Sequence, residues 1–172
     1  MAGSLIKIQE TTVSSAVASV TLTGIDSTYD VYKFIINGLT ADTDSSLIEI
    51  RVTKSGTADT TANYDEAAKQ LKAFAVFVNN SDTNATSWGL NNAGTPTNSA
   101  FNLTAYLFNF ANASEYSFAT FEEVTLDTGK NLRGKQGGGV HTVASASDGV
   151  NVFLSTGGNI DGGTFTLYGL KK

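Results

Sequence analysis

Apolar residues in this chain recur at every second position over short stretches. Val20-Thr21-Leu22-Thr23, Ile48-Glu49-Ile50-Arg51-Val52-Thr53 and Thr164-Phe165-Thr166-Leu167-Tyr168 alternate cleanly, as do residues 116–124 and 150–154. A period of two gives each face of a strand its own side-chain set, so every such stretch predicts a half-buried β-strand. Residues 29–36 and 101–110 are more continuously apolar and rich in aromatic and β-branched residues. They predict central strands buried on both faces. Gly24-Ile25-Asp26-Ser27, Asn37-Gly38, Asp127-Thr128-Gly129, Asp148-Gly149 and Gly157-Gly158-Asn159 separate the runs. Glycine accepts positive φ and Asn or Asp bonds its own backbone, so each of these predicts a chain reversal. The expectation is an all-β chain: one β-sandwich of jelly-roll type over residues 1–172, with roughly nine or ten strands and at most one short helix.

Two segments break the alternation. Residues 62–73 (A-N-Y-D-E-A-A-K-Q-L-K-A) are rich in helix formers and place Asp65 four residues before Lys69, which predicts a helix of two or three turns. The rival is a strand pair reaching from Tyr64 to Val78, because Phe74-Ala75-Val76-Phe77-Val78 is strand-like. Residues 79–99 are loaded with Asn, Ser, Thr and Gly around Trp88 and the single proline, Pro96. They predict a long exposed polar loop with one short strand near Ser87 to Leu90, a length of loop that compact domains keep for a purpose.

Composition narrows the function. The chain has 172 residues, 41% hydrophobic and 16% charged, which suits one folded domain and neither disorder nor two ordinary domains. A net charge of -5 gives no basic footprint for nucleic acid. With no cysteine and one histidine, disulfides, thiolate zinc sites, cysteine nucleophiles and multi-histidine metal sites are excluded. The opening Met1-Ala2-Gly3-Ser4-Leu5-Ile6-Lys7-Ile8-Gln9-Glu10 is not a secretory signal, and no stretch reaches the roughly 18 apolar residues of a membrane helix. The expectation is synthesis in the cytoplasm without membrane insertion.

Candidate chemistry is sparse. His141 lies in a strand pattern without a Gly-x-Ser-x-Gly elbow, so a solvent-facing or hydrogen-bonded strand histidine is expected. Gly134 and Gly137 to Gly139 lead into strand pattern where a phosphate loop would open a helix. They are expected to permit a bulge or a close approach of neighbouring backbone. Glu122 and Glu123 are adjacent and point to opposite faces of a strand, so they form no facing acid/base pair by themselves. Asp42-Thr43-Asp44 resembles a fragment of a calcium loop but lacks its glycine and bidentate glutamate; an Asx-type turn explains it as well. No metal and no cofactor is expected. Trp88, among Asn and Ser, is the candidate contact for a protein partner or a glycan; the alternative is that it folds back to plug one end of the sandwich.

Residues 8–32, from Ile8-Gln9-Glu10-Thr11-Thr12-Val13 through Gly24-Ile25-Asp26-Ser27-Thr28-Tyr29-Asp30-Val31-Tyr32, resemble small structural proteins of tailed bacteriophages, marine and cyanobacterial ones in particular. Asp161-Gly162-Gly163-Thr164-Phe165-Thr166-Leu167-Tyr168-Gly169-Leu170-Lys171, Tyr106-Leu107-Phe108-Asn109-Phe110 and Gly137-Gly138-Gly139 are similar to them too. The resemblance implies a non-enzymatic virion protein. Capsid decoration, as a cement or knob protein on the major capsid protein, is the first expectation, and a glycan-binding tail-fibre or tail-tip adhesin module is the second. A homo-oligomer is expected, a trimer before other states. Leu5, Ile6, Ile8, Phe165, Tyr168 and Leu170 are the candidate assembly contacts, because apolar residues near chain ends either pair within a sheet or bury against a partner.

Overall fold

A computed structural model describes residues 4–95 and 99–171. These residues form thirteen β-strands: β1 (Leu5–Val13), β2 (Ser19–Thr23), β3 (Val31–Ala41), β4 (Ser46–Lys54), β5 (Thr57–Ala58), β6 (Tyr64–Lys72), β7 (Val78–Ala85), β8 (Trp88–Ala93), β9 (Phe101–Phe108), β10 (Ser117–Leu126), β11 (Leu132–His141), β12 (Gly149–Leu154) and β13 (Ile160–Leu170). No helix occurs among the described residues. The large sheet runs β1-β13-β3-β9-β10-β11-β6-β7, and the small one runs β2-β12-β4-β5 with β8 also pairing β4. Every pairing is antiparallel.

Alternation explains the core. On β10, Ser117, Ala119, Phe121, Glu123 and Thr125 are buried while Phe118, Thr120, Glu122 and Val124 are exposed. Inward residues of the large sheet, such as Phe34, Ile36, Leu103 and Phe165, join Leu22, Ile48, Ile50, Val52, Val150 and Val152 of the small sheet in one hydrophobic core. Burying a side chain of this size contributes about 1.5–3 kcal/mol, and a core of this extent holds the two sheets together.

The predicted helix over 62–73 is a strand, β6, and the rival reading of a strand pair describes the segment better. β6 alternates with Tyr64 and Glu66 inward and Ala67, Lys69 and Leu71 outward, and it pairs β11 over its whole length. Its helix-forming composition is overridden because the inward acid is neutralised across the sheet, a contact that one helical face would not make. Phe74 to Val78, read as strand, is mostly the turn joining β6 to β7; only Val78 enters a strand. The polar stretch read as a loop carries β7 and β8, and of that stretch residues 96–98, Pro96 included, lie outside the described residues. Residues 29–36 and 101–110 do supply central strands, β3 and β9, but these alternate in burial. Only their inward faces are fully covered, since among the described residues no layer lies over the outer face of the large sheet.

Candidate functional site

The interior of the large sheet holds an uncommon group of charges. Lys135, on β11, is 1% exposed and its Nζ donates to Glu66 Oε1 at 2.8 Å and to the Gly89 carbonyl at 2.5 Å. Glu66, on β6, also accepts from the Gly89 amide at 2.8 Å and from Asn80 Nδ2 at 3.0 Å. The register pairs Gly139 with Glu66 and Lys135 with Gln70, so the ion pair spans the row where Gly137 faces Ala68. Glycine is needed there: a Cβ on Gly137 would lie 2.4 Å from the Ala68 Cβ.

Glu123, directly opposite Lys135 on β10, completes the group. Burial pushes its carboxyl up to about 8, against the lowering influence of Lys135 and of the Asn91 amide. The Asn91 N–H donates to Glu123 Oε1 at 2.9 Å, while Asn91 Nδ2 and Glu123 Oε2 have no well-directed hydrogen bond. The group therefore sets the Lys135–Glu66 ion pair beside a carboxyl whose burial favours its protonated form. Beside it a polar cleft of about 530 Å³ opens between β8 and the β6–β7 hairpin, lined by Glu49, Gln70, Asn80, Ser87, Asn91 and Arg133 among others. The Ser87 hydroxyl donates to the Glu49 carboxylate.

Trp88 is not a surface residue. It is 2% exposed, its ring meets Tyr64 edge-on with centroids 5.4 Å apart, and its Nε1 donates to the Val140 carbonyl at 3.3 Å. As the first residue of β8 it points inward, where Gly139 makes room; a Cβ on Gly139 would stand 2.4 Å from Trp88 Nε1. The exposed contact expected at Trp88 is thus replaced by the plug into the core. The glycines of β11 serve the close approach that their sequence suggests.

His141 is fully buried rather than solvent-facing. It lies against Tyr64 at 4.8 Å between centroids and 3.4 Å from Asp59 Oδ2. Burial lowers its pKa, and the Asp59 charge only partly opposes this. Asp59 itself is held below the usual carboxylate range: its burial acts upward, but the Lys54 ammonium at 2.7 Å and hydrogen bonds from Thr61 prevail. Asp42 accepts from the Asn159 amide at 2.7 Å and from Asn159 Nδ2 at 2.9 Å, which pins the β12–β13 turn and lowers its pKa. No group of three or more potential metal-ligating acids or histidines occurs among the described residues, Asp42 and Asp44 included.

The candidate assembly contacts divide. β1 pairs β13 with Leu5 opposite Leu170, so intramolecular strand pairing holds both segments. Phe165 is fully buried in the core and is removed from the contact set. Ile8 packs partly buried against the core, and Tyr168 is half-buried opposite Lys7 and Lys33. Leu5, Ile6 and Leu170 remain exposed at one corner of the large sheet. At the β6–β7 turn and the adjoining ends of β10 and β11 a second apolar surface, missed in the sequence, consists of Leu71, Phe74, Val76, Phe77, Val78, Val124 and Leu132. Val124 and Leu71 had a signal, since both occupy outward positions where polar residues are expected. Lys135 and Glu66 had none.

Among the described residues no helix is long and apolar enough to cross a membrane. Comparison with family models, with curated proteins and with solved structures finds no match.

Proposed function

We propose that this chain is a non-enzymatic structural protein of a bacteriophage virion, a capsid decoration protein that binds the major capsid protein as a homo-oligomer, with a trimer the favoured state. The observation that carries the reading is apolar surface left uncovered at two places on the large sheet: Leu5, Ile6 and Leu170 at the β1 edge, and Phe74 to Val78 with Leu71, Val124 and Leu132 around the β6–β7 turn. An apolar patch at the upper end of what a monomer presents is often functional, and a subunit held between neighbours covers it. The resemblance of residues 8–32 and 161–171 to phage structural proteins supports the same conclusion. The two sheets around one core support a sandwich. Repeated crossing between sheets from β1 to β4, and again from β11 to β13, supports a jelly-roll type. Neither nucleic acid nor membrane is a partner in this reading, and no cofactor is required.

Quantitative mass spectrometry of purified particles of the encoding phage tests it. Hundreds of copies per particle are expected, and absence from the particle overturns the virion reading. A few dozen copies or fewer would favour the second reading, a tail adhesin module. For that reading the polar cleft beside Glu66, with its amides, carboxylates and Arg133, replaces Trp88 as the glycan contact.

A further inference from the structure

The outer face of the large sheet carries a trough that crosses the strands. Register lines up Ser81 of β7, Ala67 of β6, Gly138 of β11, Thr120 of β10 and Tyr106 of β9 in one row. Four strand spacings of about 4.8 Å make that row about 19 Å long. Its three middle residues are small, so the taller rows on either side stand above it. One of those rows is apolar, with Val140, Phe118 and Phe108 directly opposite one another. The other is polar: Gln136, Glu122 and Thr104 are in register, and Gln136 Nε2 donates to Glu122 Oε1 at 2.7 Å. Tyr106 closes one end. Towards the other end the trough becomes a hollow of about 550 Å³, with Asp65, Ser81 and Asp82 at its border.

Two aromatic rings stand open to solvent along this trough, Phe118 at 44% and Tyr106 at 38% exposure. The hydroxyls of Ser81, Tyr106 and Thr120 make no hydrogen bond among the described residues. A rigid face thus sets ring surfaces beside a line of hydroxyls, an amide and carboxylates, the mixture that small-ligand sites use.

The same chemistry selects the occupant. Phe118, Phe108, Val140 and Tyr106 are each less than half exposed. Together they fall well short of the about 800 Å² that each partner gives to a standard protein interface, so the ligand is narrow. An extended peptide joins a sheet at its edge, and β6, β11, β10 and β9 already pair with a neighbour on both sides. A phosphate polymer needs a cationic track. Here Asp65, Asp82 and Glu122 outnumber Lys69, beside Gln136, and Lys33, whose ammonium lies 5.5 Å from the centroid of the Tyr106 ring. A pyranose chain meets each condition: its C–H faces stack on Phe118 and Tyr106, its hydroxyls reach Glu122, Gln136 and Thr120, and it brings no charge.

We infer that this trough is a binding site for a neutral oligosaccharide. It is separate from the polar cleft beside Glu66, which has no aromatic residue in its lining; the two meet at β7, where Ser81 and Asp82 border both. The inference concerns binding alone and holds for either position in a particle, so copy number does not bear on it.

Affinity electrophoresis of the full chain tests it, in native gels that each contain glycogen, dextran, a galactomannan or a mixed-linkage β-glucan. At least one of the four should retard wild type. Phe118→Ala and Tyr106→Ala should each weaken that binding at least about fivefold, the loss expected of an anchor side chain, with Trp88 emission unchanged. Val76→Ser, on the exposed β6–β7 turn, should bind as wild type does. If Phe118→Ala fails to fold, Thr120→Arg fills the trough from its floor and should abolish retardation. Migration unaffected by all four polysaccharides overturns the inference, as does binding that survives in the trough variants or is weakened equally by Val76→Ser. Binding lost in Asn80→Ala but kept in Phe118→Ala also overturns it and assigns the sugar to the cleft.

Discussion

Replacing Glu123 with glutamine isolates the energetic consequence of placing a second carboxyl beside the Lys135–Glu66 pair. In the unfolded chain Glu123 releases its proton near its ordinary value of 4.5; in the fold it keeps the proton until about 8, chiefly because of burial. Between those limits the folded state binds more protons than the unfolded state, so unfolding free energy falls as pH rises. At 1.36 kcal/mol per pH unit, the loss from this one group over the whole window is about 4–5 kcal/mol. Relaxation and water entry on the cleft side reduce that figure, and a loss of at least about 2 kcal/mol is expected. Glutamine has the same shape, still accepts from the Asn91 N–H, and does not titrate. Glu123→Gln should match wild type within about 1 kcal/mol at pH 5 and exceed it by at least about 2 kcal/mol at pH 9. Urea unfolding followed by the emission of Trp88, the only tryptophan and a buried one, reads both proteins directly. Subtracting one curve from the other cancels every other titrating group, His141 included. Parallel stabilities of the two proteins from pH 5 to 9 would refute the assignment of a protonated Glu123.

Three further outcomes follow from the same geometry. Lys135→Met leaves the Glu66 carboxylate buried without its ammonium partner and should destabilise by about 3–5 kcal/mol in urea, with Glu66→Gln added to it restoring most of the loss. Gly139→Ala forces a methyl group to within 2.4 Å of the Trp88 ring nitrogen, which should cost about 1–3 kcal/mol or more and move Trp88 emission to longer wavelength in the folded protein; unchanged emission and stability would show that the ring is not packed on β11. The single histidine, His141, has its pKa lowered by burial, so its contribution is complete above about pH 6.5 and is lost as pH falls below that value. Its ring proton resonance should titrate below pH 6.5, and a midpoint at or above 6.5 contradicts the buried placement.

The strands whose inward faces are apolar were legible from the sequence. β2, β4 and β10 announce themselves because the alternation of their residues is largely the alternation of their burial, while β12 and β13 alternate in sequence yet are buried at successive positions, residues 149–152 and 165–167. β6 and β7 were not legible for the opposite reason. β6 turns Glu66 inward, a polar side chain that periodicity counts as solvent-facing, and its composition of Ala, Glu, Lys and Gln satisfies helix propensity better than strand propensity. Only the partner strand resolves the conflict, since β11 supplies Lys135 to neutralise Glu66 and glycines to admit Ala68 and Trp88. β7 is exposed along nearly its whole length, so it carries no hydrophobic pattern at all; backbone pairing with β6 holds it.

Trp88 and the turn at Phe74 to Val78 exchange the roles their neighbourhoods suggest. The tryptophan stands among polar residues and is interior, because Gly139 three strands away in sequence leaves a space the size of its ring edge. The run Phe-Ala-Val-Phe-Val has the composition of a buried strand and stands in solvent, because β6 and β7 have already used their pairing and the chain must reverse between them. Local composition decides burial only where the partner of a segment lies in the same chain. Where a strongly apolar turn finds no partner inside the fold, its composition does not bury it.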